Sequence, residues 1–224
     1  MTATVTAREF AGLDLVDWRY LLRRIEANFT CPSYAAGGAL AARIAALADE
    51  QNHHPEVDLR WPGLVHVVTS SHDAGGVTQR DLRLARSISA AAVAAGASSD
   101  PLATTTLEIA LDAIDIDAVR PFWAAVLGYV EKPPSVEGDL IREVVDPRGV
   151  GPALWFQQMD VPRTERNRFH LDVTVPHDVA EARLEATLAA GGRLVSDARA
   201  KAFWVLADAE GNEACICTWQ DRAT

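Results

Sequence analysis

The apolar and polar positions of this chain change period several times. From residue 34 to 51 (YAAGGALAARIAALADEQ), Leu40, Ile44 and Leu47 recur at helical spacing, which predicts a helix with one buried stripe. Leu82, Ala85 and Ile88 repeat the pattern in a second helix running to about residue 95, with Thr78 as its N-cap. Between them LVHVVTSS (64–71) alternates and is rich in β-branched residues, so it predicts a strand. WRYLLRRIEANF (18–29) alternates late in its run and reads as a strand or a hairpin.

The stretch GASSDPLATTT (96–106) interrupts these patterns with Gly, Ser, Asp and Pro, and places a domain boundary near residue 101. The two domains expected are 1–100 and 101–224. Beyond the boundary the pattern repeats. A shift of 62 residues carries Glu108 onto His170, Phe122 onto Leu184, Asp146 onto Asp208 and Gly149 onto Gly211. Each copy, about 104–162 and 166–220, runs strand, helix, then three strands, with an Asp-x-x-Gly turn before the last. Neither βαβββ copy can bury its sheet face alone, so the two are expected to pair around one core or cleft. The fold class expected is α+β throughout.

Charge narrows the partners. The net charge is −10. Up to residue 103 there are 9 basic against 11 acidic residues (−2), and beyond it 12 against 20 (−8). Neither part supplies the positive field that phosphate backbones require, which argues against nucleic acid. No apolar stretch is long enough to span a bilayer, and the N-terminus lacks the pattern of a signal peptide. Three cysteines, Cys31, Cys215 and Cys217, are too few and too oddly spaced for a disulfide framework. The expectation is a cytoplasmic protein that touches neither membrane nor nucleic acid.

Candidate chemistry begins at NHHPEVDLRW (52–61), where His53 and His54 stand together before Pro55 at the end of a helix. His72 follows the strand at 64–71. Imidazole titrates near neutrality, so it can give and take protons within one turnover. Two imidazoles in different surroundings can divide into an acid and a base. Asp49, one turn before His53, can orient a ring. The plainer reading is that histidine at a helix C-terminus simply complements the macrodipole.

DEQNHHPEVDLRW followed by VHVVTSSHDAGGVTQRDLRLA resembles the signature of the pterin-4a-carbinolamine dehydratases. Asp49 fills that pattern's acidic place, His53, His54 and Pro55 its centre, Trp61 its aromatic place and His72 its third histidine. Gly76 and Thr78 fill the turn, and Asp81 the following acid. The resemblance covers roughly residues 15–95. It departs by one extra residue between Trp61 and His72, assigned to the Pro62-Gly63 turn, and by Ser71 where threonine is usual. It implies an antiparallel sheet with helices on one face, and dehydration of 4a-hydroxytetrahydropterin to quinonoid dihydropterin without metal or redox cofactor. The implied catalytic residues are His54 and His72 as the acid/base pair, His53 assisting and Asp81 orienting. Asp49, Pro55 and Trp61 are the implied substrate-binding residues. His66, inside the strand, reads as structural.

The second half resembles the vicinal-oxygen-chelate superfamily in its glyoxalase-like branch, on IDAVRPFWAAVLGY, RNRFHLDVTV and VLADAEGNEACI. Active members hold a divalent metal with residues on the first and last strands of each unit. By position these are Glu108 and His170, with Cys215 where glutamate is common. The 62-residue shift sets Ala153, which cannot ligate, opposite Cys215 in the repeat. Glu108 and His170 could hold a divalent ion, yet a thiol is too soft for a magnesium-like site. A polar pair without metal is the alternative. Arg166 and Arg168 could receive an anion at the cleft mouth. The leading reading is a pterin dehydratase carrying a glyoxalase-like domain of unassigned substrate, acting on a small-molecule pterin as a homodimer. The alternatives are a metal-dependent lyase, isomerase or dioxygenase with a dimerising first half, and a non-catalytic small-molecule binder.

Overall fold

The computed structural model describes residues 3–132, 142–163, 165 and 170–221. The chain forms two compact units, Met1–Thr106 and Leu107–Thr224.

The first unit opens with a short helix, α1 (Ala7–Ala11), then a hairpin of β1 (Trp18–Leu21) and β2 (Arg24–Thr30). Helix α2 (Tyr34–Gln51), strands β3 (Glu56–Arg60) and β4 (Leu64–Thr69), helix α3 (Gln79–Ala94) and the two-residue β5 (Ser98–Ser99) complete it. The sheet order is β1-β2-β4-β3, all antiparallel, with β5 also on β2. Alternation decides its faces. Ile25, Ala27 and Phe29 of β2 and Val65 and Val67 of β4 point to one side, and α2 and α3 cover that side with Leu40, Ile44, Leu82, Ala85 and Ile88. Glu26, Asn28 and His66 therefore point to the opposite face.

The unit extends a few residues past the boundary expected near residue 101. Ser98 and Ser99 pair with β2, and the Thr104 and Thr106 hydroxyls bond Asn28 and Glu26 on the second face. The strand at 56–60 was not anticipated. It is a short, largely exposed edge strand whose two apolar residues, Val57 and Leu59, alternate with Glu56, Asp58 and Arg60, too brief a run to stand out beside the histidine motif.

The second unit contains β6 (Glu108–Ala113), α4 (Ile116–Leu127), β7 (Val130–Glu131), β8 (Arg142–Val145) and β9 (Ala153–Gln158). It repeats them as β10 (Leu171–Thr174), α5 (Ala180–Ala189), β11 (Arg193–Arg199), β12 (Phe203–Ala207) and β13 (Glu213–Cys217). The sheets have matching orders, β6-β9-β8-β7 and β10-β13-β12-β11. In each, the first and last strands run parallel and the others antiparallel. Phe122, Trp123 and Val126 of α4 share one core with Leu154, Phe156, Trp204, Leu206 and Ile216. Helices α4 and α5 pack on each other, and the Arg183 guanidinium donates to the Val126 carbonyl. The two copies thus bury a common core.

The 62-residue shift fails after the Asp-x-x-Gly turn. Seven residues (146–152) separate β8 from β9, and five (208–212) separate β12 from β13. In the ladders Glu108 pairs with Ala153, but Asp172 pairs with Cys215. Core residues Leu154 and Phe156 therefore correspond to Ala214 and Ile216. Cys215 corresponds to Trp155, not to Ala153.

Candidate functional site

The first cluster is built where α2 ends. Asn52 takes the left-handed conformation (φ 47°, ψ 45°), and the N–H of His53 returns to the Ala48 carbonyl at 3.0 Å. Asparagine tolerates this conformation, so Asn52 ends the helix; Pro55 only keeps the chain extended afterwards. The turn drives His53 inward and leaves His54 outside. His53 is 8% exposed and its Nε2 lies 2.6 Å from Asp81 Oδ1.

Asp81 is fully buried at the third position of α3. Thr78 caps the helix, and its N–H donates to Asp81 Oδ2 at 2.7 Å in a reciprocal capping box. Ser71 Oγ donates to Oδ2 at 2.7 Å, and Thr69 Oγ1 donates to Oδ1 at 2.7 Å. Burial alone pushes the Asp81 carboxyl up. The hydrogen bonds from His53, the Thr78 backbone, Thr69 and Ser71 outweigh it and hold the group below its ordinary value. An ionised carboxylate only accepts hydrogen bonds, so Nε2 of His53 carries the proton. Asp81 thereby fixes the orientation of the ring and turns Nδ1 away from the carboxylate.

His54 is exposed and pairs with Asp49, Nε2 to Oδ1 at 3.1 Å. His72 is also exposed, at the start of a single 3-10 turn, directly after Ser71. That turn is closed by reciprocal backbone hydrogen bonds between Ser71 and Gly76. One buried carboxylate therefore ties down both the segment carrying His53 and His54 and the segment carrying His72. One buried imidazole contacts it directly, and two solvent-facing imidazoles lie on the segments it joins; imidazoles are groups able to give and take protons.

The second unit gathers a different set. His170 stands at the entrance of β10, Asp172 two residues along it, and Cys215 beside Asp172 on β13. Their ligand atoms all lie within 4.8 Å of one another. His170 Nε2 is 3.1 Å from Asp172 Oδ1, and both side chains are exposed. Cys215 is buried; desolvation, together with the neighbouring Asp172 carboxylate, pushes its thiol up to about 12. Glu108, expected to share this site, is exposed on β6 and is not part of the group. Asp172 enters instead, because the shorter turn before β13 slides Cys215 level with it. The nitrogen, oxygen and sulfur donors suit a borderline ion such as zinc and do not suit the all-oxygen octahedron of magnesium.

Residues 2–91 match the family model described as pterin 4 alpha carbinolamine dehydratase. A Roseiflexus protein named as a pterin-4-alpha-carbinolamine dehydratase is 39% identical over 75 residues, 34% of this chain and 80% of that protein. The chain belongs to the pterin-4a-carbinolamine dehydratase family through its first half. A relative of the same name from Nocardia farcinica is 40% identical over 75 residues, 34% of this chain and 78% of that protein. Residues 108–217 match the model of a glyoxalase-like domain. A solved glyoxalase/bleomycin resistance protein/dioxygenase family enzyme from Burkholderia phytofirmans has 18% identity and a TM-score of 0.38, over 50% of this chain and 95% of that one.

Within the carbinolamine dehydratase half, the expected residues fall into place unequally. His53 and Asp81 are in direct contact, His54 and Asp49 are paired, and His72 adjoins Ser71 of the same network. Pro55 links His54 to β3. Trp61 is not brought to the histidines. It is 83% exposed in the β3–β4 turn, at the far end of a five-residue strand, roughly 17 Å away at ~3.4 Å per residue. Gly63 is required there, since a Cβ would meet the Ser33 carbonyl oxygen at 2.7 Å. Ser71 keeps the hydroxyl that the usual threonine would supply. Thr69 was missed, although its two-residue spacing from Ser71 on a strand places both hydroxyls on one face. Arg166 and Arg168 lie outside the described residues.

Proposed function

We propose that the first unit removes water from 4a-hydroxytetrahydropterin to give quinonoid dihydropterin, with His54 and His72 as the proton-transfer pair. One imidazolium protonates the 4a-hydroxyl as the carbon–oxygen bond breaks. The other imidazole takes the proton of a ring nitrogen, whose electron pair forms the new carbon–nitrogen double bond. The acid has lost one proton and the base gained one, so exchange with solvent restores both. His53, anchored by Asp81, positions the helix end and offers Nδ1 to the substrate. Asp49 holds the His54 ring.

The observation that carries this reading is the buried Asp81 carboxylate, which joins the two histidine-bearing segments inside a unit of the dehydratase family. The full chain mixed with synthetic 4a-hydroxytetrahydropterin should shed water well above the spontaneous rate. A rate indistinguishable from buffer would sink the proposal. The same reading includes a homodimer, with the exposed β3 edge as the surface open to pairing.

A further inference from the structure

We propose that residues 100–106 form a pH-operated strap, docked on the outer face of the first unit's sheet and released when His66 loses its proton. The strap starts where Ser98 and Ser99 pair with Thr30 and Phe29, and the Asp100 amide donates to the Asn28 carbonyl at 2.9 Å. Thr104 Oγ1 accepts from Asn28 Nδ2 at 3.0 Å. Thr106 Oγ1 accepts from the Arg24 guanidinium at 3.2 Å and donates to Glu26 Oε1 at 3.1 Å. Two hydroxyls two residues apart thus meet two outward side chains that are two residues apart on β2. Leu102, the large apolar side chain of the strap, is 86% exposed. Attachment is therefore polar, and a change of charge beneath the strap can undo it.

Glu26 supplies that charge. It is 1% exposed and meets two cations, Arg24 Nε at 2.6 Å and His66 Nε2 at 3.2 Å. Burial pushes the Glu26 carboxyl up, and the hydrogen bonds from His66 and Arg24 outweigh it. His66 is the ladder partner of Asn28 and of Asp58, and its Nδ1 lies 3.6 Å from Asp58 Oδ2. Ladder positions put three more charges on this face, Arg19 on β1 and Glu56 and Arg60 on β3. Arg19 turns to the Val16 and Trp18 carbonyls, and Arg60 stands 4.0 Å from Asp58. The strap itself carries Asp100. Of these groups only the imidazole ordinarily titrates near neutrality. Its deprotonation takes one of two cations from a buried carboxylate and leaves an uncharged hydrogen bond about half as strong. Water entering where the Thr106 hydroxyl stood then relieves Glu26. The Glu26 hydrogen bond outweighs desolvation and holds His66 above its ordinary 6.5, so docking is complete below 6.5 and weakens as pH rises through the raised value. Docked, the chain is held to the first unit as far as Thr106. Released, residues 100–106 become free chain ahead of Leu107, with a reach of up to roughly 24 Å.

The test is backbone hydrogen exchange of the full chain as pH rises from below 6.5, corrected for the intrinsic pH dependence of exchange. Protection of the Asp100 and Ala103 amides, which donate to the Asn28 and Asp100 carbonyls, should fall about five- to tenfold, the effect of weakening one charge-assisted hydrogen bond. The amides of β4 should keep theirs. His66→Gln retains a donor without the charge, so its strap should exchange at the released level at every pH. Thr106→Val removes the hydroxyl and should bring the low-pH wild-type protection down to that same level. Strap protection that is constant with pH in the wild type, that still falls with pH in His66→Gln, that is unchanged in Thr106→Val, or that falls together with β4 would overturn the proposal.

Discussion

Asp81 accepts hydrogen bonds from its own N-cap residue, from Thr69 and Ser71 at the end of β4, and from His53 beyond the end of α2. Half of this was readable in advance. Thr78 and Asp81 stand three apart before an apolar stripe, which is the spacing of a capping box. The other half was not, because His53 lies 28 residues away and nothing local announces the contact. Asp81→Asn keeps the shape but loses the charge that four side chains and a backbone amide address. It should cost about 3–5 kcal/mol in urea unfolding at neutral pH, the scale for breaking a buried pair. Because the folded carboxyl lies below its ordinary value of 3.8, its stabilisation is complete above that value and is lost as pH falls through the folded pKa. The gap between wild type and variant should therefore narrow in acid, and an undiminished gap would speak against an ionised Asp81.

Among elements, the sheet's second face holds a charged group that alternation alone left unnamed. Glu26 is almost fully buried between Arg24, at 2.6 Å, and His66, at 3.2 Å, with Thr106 bonded to it. The Glu26 hydrogen bond raises the His66 pKa above the ordinary 6.5, outweighing desolvation. The contribution of His66 is thus complete below 6.5 and is lost as pH rises through the raised value. Comparing His66→Gln with wild type in urea should show a stability difference that fades with rising pH; a constant difference would mean that the pair is not charge-assisted.

The repeat was legible as strand, helix and strands, yet its register was not. Apolar alternation fixes which residues face the core, while turn length decides which cross-strand partners meet. The two Asp-x-x-Gly turns reuse one device. Asp146 is driven up by burial and more than offset by the backbone amides of Arg148 and Gly151, reaching about 2. Asp208 takes the Glu210 and Asn212 amides and also the Trp123 indole at 3.0 Å, tying the second copy to the helix of the first. Asp208→Ala should cost about 1–3 kcal/mol by stranding buried donors, measured by thermal unfolding. A shift no larger than that of an exposed aspartate variant would deny the tie.

The molecule as a whole joins two units of different chemistry. Among the described residues no helix is long and apolar enough to cross a membrane. The histidine motif pointed to the first unit's class from sequence alone, since adjacent imidazoles before proline are a local pattern. Of the second unit's cluster, His170 and Cys215 were expected by position and Asp172 was not, because it stands level with Cys215 only through a two-residue shift in ladder register. The most direct measurement is the rate of water loss from 4a-hydroxytetrahydropterin by wild type, His54→Ala, His72→Ala and the double variant. Each single change should lower the rate by ~10²–10⁴-fold, the worth of one proton transfer, while Cys215→Ser leaves it unchanged. A wild-type rate no better than that of the double variant would contradict the assignment of these two histidines.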